Sequence, residues 1–233
     1  MSRGTLVTLE GLDGSGKATQ AELLEQELHL RGGGAVRRIS FPEYGEESSA
    51  LVRMYLNGEF GEKPEDVNAY AASTFFAVDR YASFRRHWRG DYAAGKLILS
   101  DRYATSNIVY QMPKLPRNEW DAFIAWAEDF EYVRMGIPRP DLTVYLDMPT
   151  KISQRLLQER YQKNGGSRDV HERDLAYLAS CRQSAVYAAD RLGWKTIACA
   201  EGGEPRSVES IHAELTRLVK KELFRKGKAA EAD

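Results

Sequence analysis

A glycine-rich loop lies near the start of the chain, between a short apolar segment and a helical pattern. Over residues 10–19 its sequence is Glu-Gly-Leu-Asp-Gly-Ser-Gly-Lys-Ala-Thr. Glycines let the backbone turn so that several N–H groups point inward, the following helix N-terminus adds partial positive charge, and the lysine supplies a full charge for the outer phosphates. A simple glycine turn would not explain the lysine at this spacing. The segment therefore predicts a triphosphate-binding loop. Its predicted binding residues are Gly11, Leu12, Asp13, Gly14, Ser15, Gly16, Lys17, Ala18 and Thr19.

The rest of the chain alternates short apolar runs with longer helical stretches. This alternation is typical of a parallel sheet whose two faces are covered by helices. The predicted strands are Thr5–Glu10, Val36–Phe41, Leu97–Ser100, Leu142–Leu146 and Lys195–Cys199. The predicted helices are Ala18–Leu30, Pro64 to about Trp88, Pro116 to about Met135, Ile152–Tyr161 and Val170–Leu192. The fold class predicted is therefore α/β, with a five-stranded parallel sheet and helices on both faces.

The length of 233 residues fits one domain with a small insertion. We assign residues 1–225 to this domain. The polar, glycine-rich segment Lys163–Arg168 separates two helical stretches, which predicts a mobile lid at about residues 155–174. The short polar segment 226–233 is predicted to be a flexible tail.

Composition excludes several classes of partner. The net charge of −1 argues against broad binding to a nucleic acid polymer or an anionic membrane. The sequence has neither an apolar run of the ~18 residues that a membrane span needs nor the apolar core of a signal peptide, so we expect a soluble, cytoplasmic protein. Cys181 and Cys199 are too far apart for a metal motif and are expected to be buried thiols.

A second charged motif follows the third predicted strand. Asp101 and Arg102 lie at its carboxyl end, which is where open α/β sheets bind ligands. The aspartate can hold a metal-bound water, and the arginine can bind an anion through its planar fork. A salt bridge at the strand end is the structural alternative.

The phosphate loop departs from its usual pattern at one position. Ala18 follows the lysine, where a Ser or Thr hydroxyl usually contacts Mg²⁺. The hydroxyl of Thr19 is rotated by about 100° from that position and should point elsewhere. Because Mg²⁺ readily retains waters, we expect a water to replace the hydroxyl while carboxylates and phosphates hold the ion.

From the phosphate loop to the last helix, the chain resembles the thymidylate kinases of the nucleoside monophosphate kinase group. The segments that carry the resemblance are Gly11–Thr19 with Gln20, Phe41-Pro42, Phe76-Ala77-Val78-Asp79-Arg80, and Asp101-Arg102-Tyr103-Ala104-Thr105-Ser106-Asn107 with Tyr110. The first segment is common among P-loop proteins, whereas the last two are much more particular. The resemblance implies a P-loop kinase fold with a short lid, ATP as donor, dTMP as acceptor, and a homodimer packed through helices.

The side chains of the last two segments suit a thymine base. Phe76 is expected to stack on the base. Arg80, one helical turn later on the same face, can donate to a base carbonyl. Asn107 offers both a donor and an acceptor to the N3–H and O4 edge. Ordinary helix packing for Phe76 and an ion pair with a surface acid for Arg80 are the alternatives.

Other roles rest on the resemblance alone. It implies that Phe41 belongs to the acceptor pocket, that Asp13 accepts a hydrogen bond from the 3′-hydroxyl, and that Tyr110 crowds a 2′-hydroxyl. Some relatives have an arginine where this chain has Tyr44. The acceptor phosphate is therefore expected to depend on Arg102, with Arg53 and Lys17 as further candidates.

The resemblance also implies that the lid supplies arginines to the reaction. Some relatives carry an arginine at the position of Gly14, and those that lack it have lid arginines instead. Phosphoryl transfer concentrates negative charge on the equatorial oxygens, so we expect Arg160 and Arg168 to act there. The lid segment also contains acidic residues, so a self-paired polar loop is the alternative. Glu172, after the lid, is expected to orient metal-bound waters.

These observations predict in-line transfer of the γ-phosphate of ATP to dTMP with Mg²⁺. The predicted catalytic residues are Lys17, Asp101, Arg102, Arg160 and Arg168, and the predicted metal-binding carboxylates are Asp13, Asp101 and Glu172. Two alternatives remain open: a deoxynucleoside kinase that uses an aspartate as base, and a nucleotide-binding regulatory module with little turnover. Another pyrimidine monophosphate, such as dUMP, could also be accepted.

Overall fold

Five parallel strands form the central sheet of the protein. The structure is a computed structural model and describes residues 3–30, 36–164 and 169–230. The strands are β1 Thr5–Glu10, β2 Val36–Ser40, β3 Leu97–Asp101, β4 Leu142–Asp147 and β5 Lys195–Ala198. Their order is β2–β3–β1–β4–β5, and every neighbouring pair is parallel. The predicted fold class is confirmed, and each strand ends within one residue of its predicted end.

Helices cover both faces of the sheet. They are α1 Lys17–Leu30, α2 Ala50–Leu56, α3 Ala69–Ser83, α4 Arg89–Ala93, α5 Thr105–Gln111, α6 Trp120–Glu128, α7 Thr150–Asn164, α8 Val170–Arg173, α9 Leu175–Leu192 and α10 Val208–Ala230. Two π-helical turns, Phe84–Trp88 and Asp129–Arg134, continue α3 and α6. A short hairpin, β6 Ala200–Glu201 and β7 Glu204–Pro205, follows β5. None of α2, α4, α5, α10 and this hairpin was predicted from the sequence.

Two predicted helices have different boundaries because side chains cap the backbone. The helix expected from Pro64 begins at Ala69, since the Asn68 side chain accepts a hydrogen bond from the Ala71 N–H at 2.9 Å. The helix expected over residues 170–192 breaks where the Asp174 carboxylate accepts from the Tyr177 N–H at 2.8 Å. The capping residue itself has a non-helical backbone, so it also interrupts any helix that would run into it from the preceding residues.

Alternating side chains of β1 fill two hydrophobic layers. Val7 and Leu9 pack into the layer that includes α1 and α10, whereas Leu6 packs on the other face against Trp88 and Ile98. Burial of each large apolar side chain stabilises the fold by roughly 1.5–3 kcal/mol. A strand buried on both faces is held firmly, so the loop that leaves its carboxyl end has a fixed starting point.

Several sequence expectations concern the ends and gaps of the described chain. Gly32-Gly33-Gly34 and Arg168 lie outside the described residues. Helix α10 includes residues 226–230, where a flexible tail was predicted. The single domain and the lid remain predictions.

None of the helices in the described part of the chain combines the length and hydrophobicity that a bilayer span requires. Both cysteines are buried free thiols, as predicted.

Candidate active site

The carboxyl ends of β1 and β3 bring the two charged motifs together. The strand register pairs Leu9 with Asp101, and the Arg102 N–H donates to the Leu9 carbonyl at 3.0 Å. Arg102 has a φ of +65°, a left-handed conformation that costs a non-glycine residue roughly 1–2 kcal/mol. Its guanidinium reaches back across the end of β1 toward the glycine-rich loop, where it contacts Asp13. This backbone turn is therefore what joins the two motifs.

The loop between β1 and α1 requires glycine for two different reasons. Gly14 and Gly16 have φ values of +81° and +86°. A Cβ on Gly14 would lie 2.2 Å from the carbonyl oxygen of Ser153 in α7, whereas a Cβ on Gly16 would meet nothing within 4 Å. Gly16 is needed for its backbone conformation alone, and Gly14 is also needed because α7 packs directly on the loop.

Lys17 is the first residue of α1 and is buried, as the phosphate-loop motif requires. Its ammonium group donates to the Leu12 carbonyl at 2.9 Å. Burial, together with the nearby Arg102 guanidinium, lowers the pKa of Lys17 to about 8. The group is thus still mostly charged at pH 7, and phosphate oxygens can replace the single carbonyl that now accepts from it.

Arg102, Asp13 and Tyr110 form a compact polar cluster. The guanidinium donates to Asp13 Oδ1 at 2.5 Å, and the Tyr110 hydroxyl donates to Oδ2 at 3.0 Å. Burial alone would raise the pKa of the Asp13 carboxyl, but the charges of Arg102 and Lys17 and the tyrosine hydrogen bond hold it well below its usual range. Asp13 is therefore a permanent anion that neutralises Arg102.

Glu10, which the sequence analysis missed, fixes the start of α5. The carboxylate is fully buried and accepts from the Tyr103 N–H at 3.2 Å, from the Thr105 hydroxyl at 2.5 Å and from the Ser106 hydroxyl at 2.9 Å. Burial raises its pKa. A negative group at a helix N-terminus is stabilising, and this one orients the helix that carries Asn107 and Tyr110. A glutamate at the end of a buried strand is the sequence signal that could have identified it.

One cavity collects the predicted acceptor residues. It is lined by all seven of them: Asp13, Phe41, Phe76, Arg80, Arg102, Asn107 and Tyr110. Other residues that line it, which the sequence analysis did not assign to this pocket, include Leu56, Tyr103, Ser106, Gln111 and His171. The structure thus brings the predicted base, sugar and phosphate contacts into one pocket.

A buried carboxylate controls the two polar groups at the base end of this cavity. Glu131, in the second π-helical turn, forms a two-pronged ion pair with Arg80, and both side chains are almost completely buried. Asn107 Nδ2 donates to the Glu131 carboxylate at 2.9 Å and to the Ser73 carbonyl at 3.1 Å. Both amide hydrogens are therefore in use. The expectation that Asn107 offers a donor and an acceptor is wrong in this conformation, because only Oδ1 remains available, as an acceptor.

A second cavity lies over the glycine-rich loop. Loop residues 13–19 line it together with Asp101, Arg102, Arg160 and Glu172, whereas Gly11 and Leu12, also predicted to bind, do not. Leu12 is buried in the core, and Gly11 packs against Ser15. The far end is formed by residues 205–208, a segment without a recognisable motif that Gln20 holds through a 2.9 Å hydrogen bond to the Val208 carbonyl.

The lid arginines differ in their surroundings. Arg160 of α7 lines the cavity over the loop, with its guanidinium 5.4 Å from the centre of the Tyr161 ring. Tyr161 in turn donates to the Glu172 carboxylate at 2.5 Å. Arg155 forms an exposed ion pair with Glu204 and lines neither cavity. Arg160 is therefore the lid arginine that the described structure brings to the site.

The polar atoms near Lys17 fit a hydrated Mg²⁺ better than a metal held by three side chains. In the described part of the chain, Asp101 Oδ1 and Ser15 Oγ are buried without a hydrogen-bond partner. The predicted ligands Asp13, Asp101 and Glu172 do not converge. Within the described residues, the one group whose ligand atoms lie within 4.8 Å of one another is Glu43, Glu46 and His87, outside both cavities. An orphaned carboxylate oxygen suits a water of a hydrated ion.

Comparisons with known proteins point to one family. The family model described as thymidylate kinase matches residues 9–212. A thymidylate kinase of Mycobacterium tuberculosis is 34% identical over 185 residues, which cover 78% of this chain and 84% of the relative. A thymidylate kinase of Rhodopirellula baltica is 28% identical over 212 residues, covering 90% and 79%. The solved structure of thymidylate kinase from Candida albicans has a TM-score of 0.67 at 22% identity, covers 95% of this chain and 93% of its own, and supports the fold.

Proposed function

Since the chain belongs to the thymidylate kinase family, we propose that it transfers the γ-phosphate of ATP to dTMP, giving dTDP and ADP. The observation that carries this proposal is the position of Arg102. Its guanidinium lines both the acceptor cavity and the cavity over the phosphate loop. An arginine shared by two nucleotide sites can bind the acceptor phosphate where the γ-phosphate arrives.

The base end of the acceptor cavity supports a preference for thymine over cytosine. Asn107 retains only its carbonyl oxygen, which accepts a hydrogen bond from the N3–H of thymine. Cytosine has a lone pair at N3, so the two acceptors would face each other. Arg80 is the donor for a base carbonyl, and Phe76 supplies the stacking surface. Nothing in this set of contacts separates dTMP from dUMP.

The remaining charged residues have distinct proposed roles in transfer. Lys17 and Arg160 neutralise the donor phosphates from the loop and from the lid, and Arg168 is the second lid candidate. Arg102 exchanges its contact with Asp13 for the acceptor phosphate. Mg²⁺ would be held by the phosphates and, through water, by Asp101, Asp13 and Glu172, and would offset the charge of the polyphosphate. Closure of α7 over the loop excludes water that would otherwise hydrolyse ATP.

Of the alternatives, a deoxynucleoside kinase is not favoured. Its acceptor carries no phosphate, so the acceptor would bring no anion of its own to the Arg102 guanidinium in this cavity. A regulatory module without turnover has only Ala18 in its favour, and Asp101 Oδ1 offers a water-mediated substitute for the missing hydroxyl.

We also propose a homodimer and a cytoplasmic location. Along α3, the exposed side chains of Tyr70, Val78 and Tyr81 lie at helical spacing on one face, and Val133 after α6 is 70% exposed. A helix face of this kind supports helix-to-helix association. The two free buried thiols support a reducing compartment.

A substrate panel tests the proposed reaction. Purified protein is given ATP and Mg²⁺ with dTMP, dUMP, dCMP, dAMP, dGMP or thymidine, and ADP formation is followed to obtain kcat/KM. We expect dTMP to rank well above dCMP, with thymidine inactive. A higher kcat/KM for thymidine than for dTMP would indicate the deoxynucleoside kinase, and nucleotide binding without ADP formation would indicate the regulatory module.

A further inference from the structure

A half-buried lysine lies behind the acceptor cavity, and its hydrogen-bond partners among the described residues are neutral groups. Lys114 follows α5, and its ammonium group donates to the Tyr55 hydroxyl at 2.9 Å and to the Val67 carbonyl at 2.8 Å. Burial lowers its pKa to about 7. Removing a cation from water without an opposite charge beside it costs free energy, so the hydrogen bonds of this ammonium group have to offset that cost.

Tyr55 connects this lysine to the wall of the acceptor cavity. Its hydroxyl lies 2.7 Å from His171 Nε2. His171 lines the cavity, although only 4% of its surface is exposed. The imidazole ring stacks on Tyr110, with the ring centres 5.4 Å apart and the planes inclined by 14°. A continuous chain of contacts therefore runs from Lys114 through Tyr55 and His171 to Tyr110.

The hydrogens along this chain can be assigned by counting donors. A charged lysine has three donors and no acceptor, so the Tyr55 oxygen must accept from it. The single hydroxyl hydrogen of Tyr55 is then free to point at His171 Nε2. In this arrangement Nε2 is the acceptor, and the proton of the neutral ring lies on Nδ1. The ring is buried beside the Lys114 cation, a setting that disfavours a second positive charge on it.

We propose that Lys114 and Tyr55 are positioning residues for the acceptor sugar: they hold His171 as the Nδ1-protonated tautomer in one orientation, stacked on Tyr110. The two stacked rings form a flat, rigid wall beside Asp13, on which a deoxyribose packs and against which a 2′-hydroxyl is crowded. This inference rests on the proposed function for the identity of the ligand, while the hydrogen-bond chain itself does not depend on it. It assigns a role to Lys114 and Tyr55, neither of which lines the cavity.

The tautomer can be observed directly in the wild-type protein. Nitrogen-15 NMR of the histidine rings at about pH 6, where Lys114 is charged, should give His171 one protonated nitrogen, Nδ1, and one hydrogen-bonded acceptor, Nε2. His171→Gln identifies the signals. Tyr55→Phe or Lys114→Met should give a mixture of the two neutral tautomers of His171. Tyr81→Phe and Lys63→Met, at exposed positions, should leave the wild-type tautomer unchanged. A proton on Nε2 in the wild type would overturn the proposal.

Steady-state kinetics test whether the orientation of His171 affects recognition of the acceptor sugar. The measured quantity is the ratio of kcat/KM for dTMP to that for its ribonucleotide analogue, ribothymidine 5′-monophosphate. We expect Tyr55→Phe and Lys114→Met each to lower this ratio roughly three- to tenfold, the value of one ordinary hydrogen bond. The double variant should resemble Tyr55→Phe alone, because the lysine acts through the tyrosine.

Unchanged ratios in both single variants, or additive effects in the double variant, would overturn the positioning role. A fall in kcat/KM for both nucleotides by the same factor would indicate a merely structural effect and would also overturn it. If the wild type fails to phosphorylate dTMP, the proposed function fails, and the NMR result still decides the hydrogen-bond chain.

Discussion

At the scale of single residues, Glu131 determines what two other side chains can bind. Glu131→Gln keeps the shape but removes the charge that holds Arg80 and fixes the Asn107 amide. We expect kcat/KM for dTMP to fall roughly tenfold or more, since hydrogen bonds to charged groups are worth about 1.5–3 kcal/mol. The ratio of dTMP to dCMP should fall as well, because Asn107 can then rotate.

Glu128→Gln is the matched control for this substitution. Glu128 lies three residues earlier and pairs with Arg139 near the surface, outside the acceptor cavity. Its variant should keep wild-type specificity. If Glu131→Gln discriminates against dCMP as strongly as the wild type does, the assignment of Asn107 as an obligatory acceptor is wrong.

Lys114 also predicts a pH dependence of stability. Its pKa in the folded protein is lowered to about 7 from an ordinary value of 10.5. Between these values the unfolded chain binds more protons, so the free energy of unfolding rises with pH by up to about 1.4 kcal/mol per pH unit for this group. Lys114→Met lacks this rise.

Urea unfolding of Lys114→Met and wild type at several pH values checks this. The stability difference should shift in favour of the wild type as the pH increases from 7 to about 10. Lys63→Met, at an exposed position, should follow the wild-type curve throughout. If stability changes with pH in the same way in Lys114→Met and in the wild type, the Lys114 ammonium group of the wild type carries no desolvation penalty.

The residues predicted for the acceptor line one cavity, but the sequence did not reveal how their hydrogens are used. Phe76, Arg80 and Asn107 belong to the segments that carry the family resemblance, and helical spacing adds only that Arg80 lies one turn after Phe76. Glu131 is 51 residues from Arg80, and no local pattern links them. Pairings across such distances depend on how helices pack, so the sequence could not show that the amide donors of Asn107 were already occupied.

At the scale of elements, α7 carries one arginine toward the donor cavity and another away from it. Arg160→Ala, or Arg168→Ala, should lower kcat by on the order of 10³ or more while the KM for ATP changes little, because these charges act chiefly on the transition state. Arg155→Ala, on the same helix, should remain close to wild type, since an exposed ion pair contributes little. Steady-state kinetics with varied ATP decide this. Ordinary turnover in both lid variants would exclude the role.

The contact between α7 and the glycine-rich loop gives a second prediction at this scale. Gly14→Ala and Gly16→Ala both place a methyl group on a left-handed residue, at a cost of roughly 1–2 kcal/mol. Only the Gly14 variant also clashes with the Ser153 carbonyl. We expect its free energy of unfolding to fall by roughly 1–3 kcal/mol more. Equal losses in urea unfolding would mean that α7 does not press on the loop.

Strands were predicted more accurately than helices for a physical reason. A strand buried on both faces is a continuous apolar run bounded by polar residues, and its ends are visible in the sequence. Helix starts depend on single capping residues. Asn68 and Asp174 each begin a helix inside a stretch predicted to be continuous, because periodicity persists across the break. The seven residues of α5 are too few for a periodic pattern.

At the scale of the whole molecule, the exposed face of α3 predicts the oligomeric state. Val78→Arg places a charge in the middle of that face and should convert a dimer to a monomer, as measured by light scattering after size-exclusion chromatography. Val186→Arg, at a position of α9 with comparable exposure, should leave the mass unchanged. A dimeric Val78→Arg protein would exclude this face as the interface.

The two cavities share one wall, formed by Asp13, Phe41, Pro42, Tyr44, Arg102 and Asp169. Ligands that meet at a common wall can be joined. A single inhibitor with a thymidine group and an adenosine group on one flexible polyphosphate tether would make its second contact intramolecularly, at an effective concentration in the millimolar range. Such a compound should exceed the affinity of either nucleotide alone by about 10²–10⁴. The geometry of this wall therefore sets the tether length that medicinal chemistry would need to match.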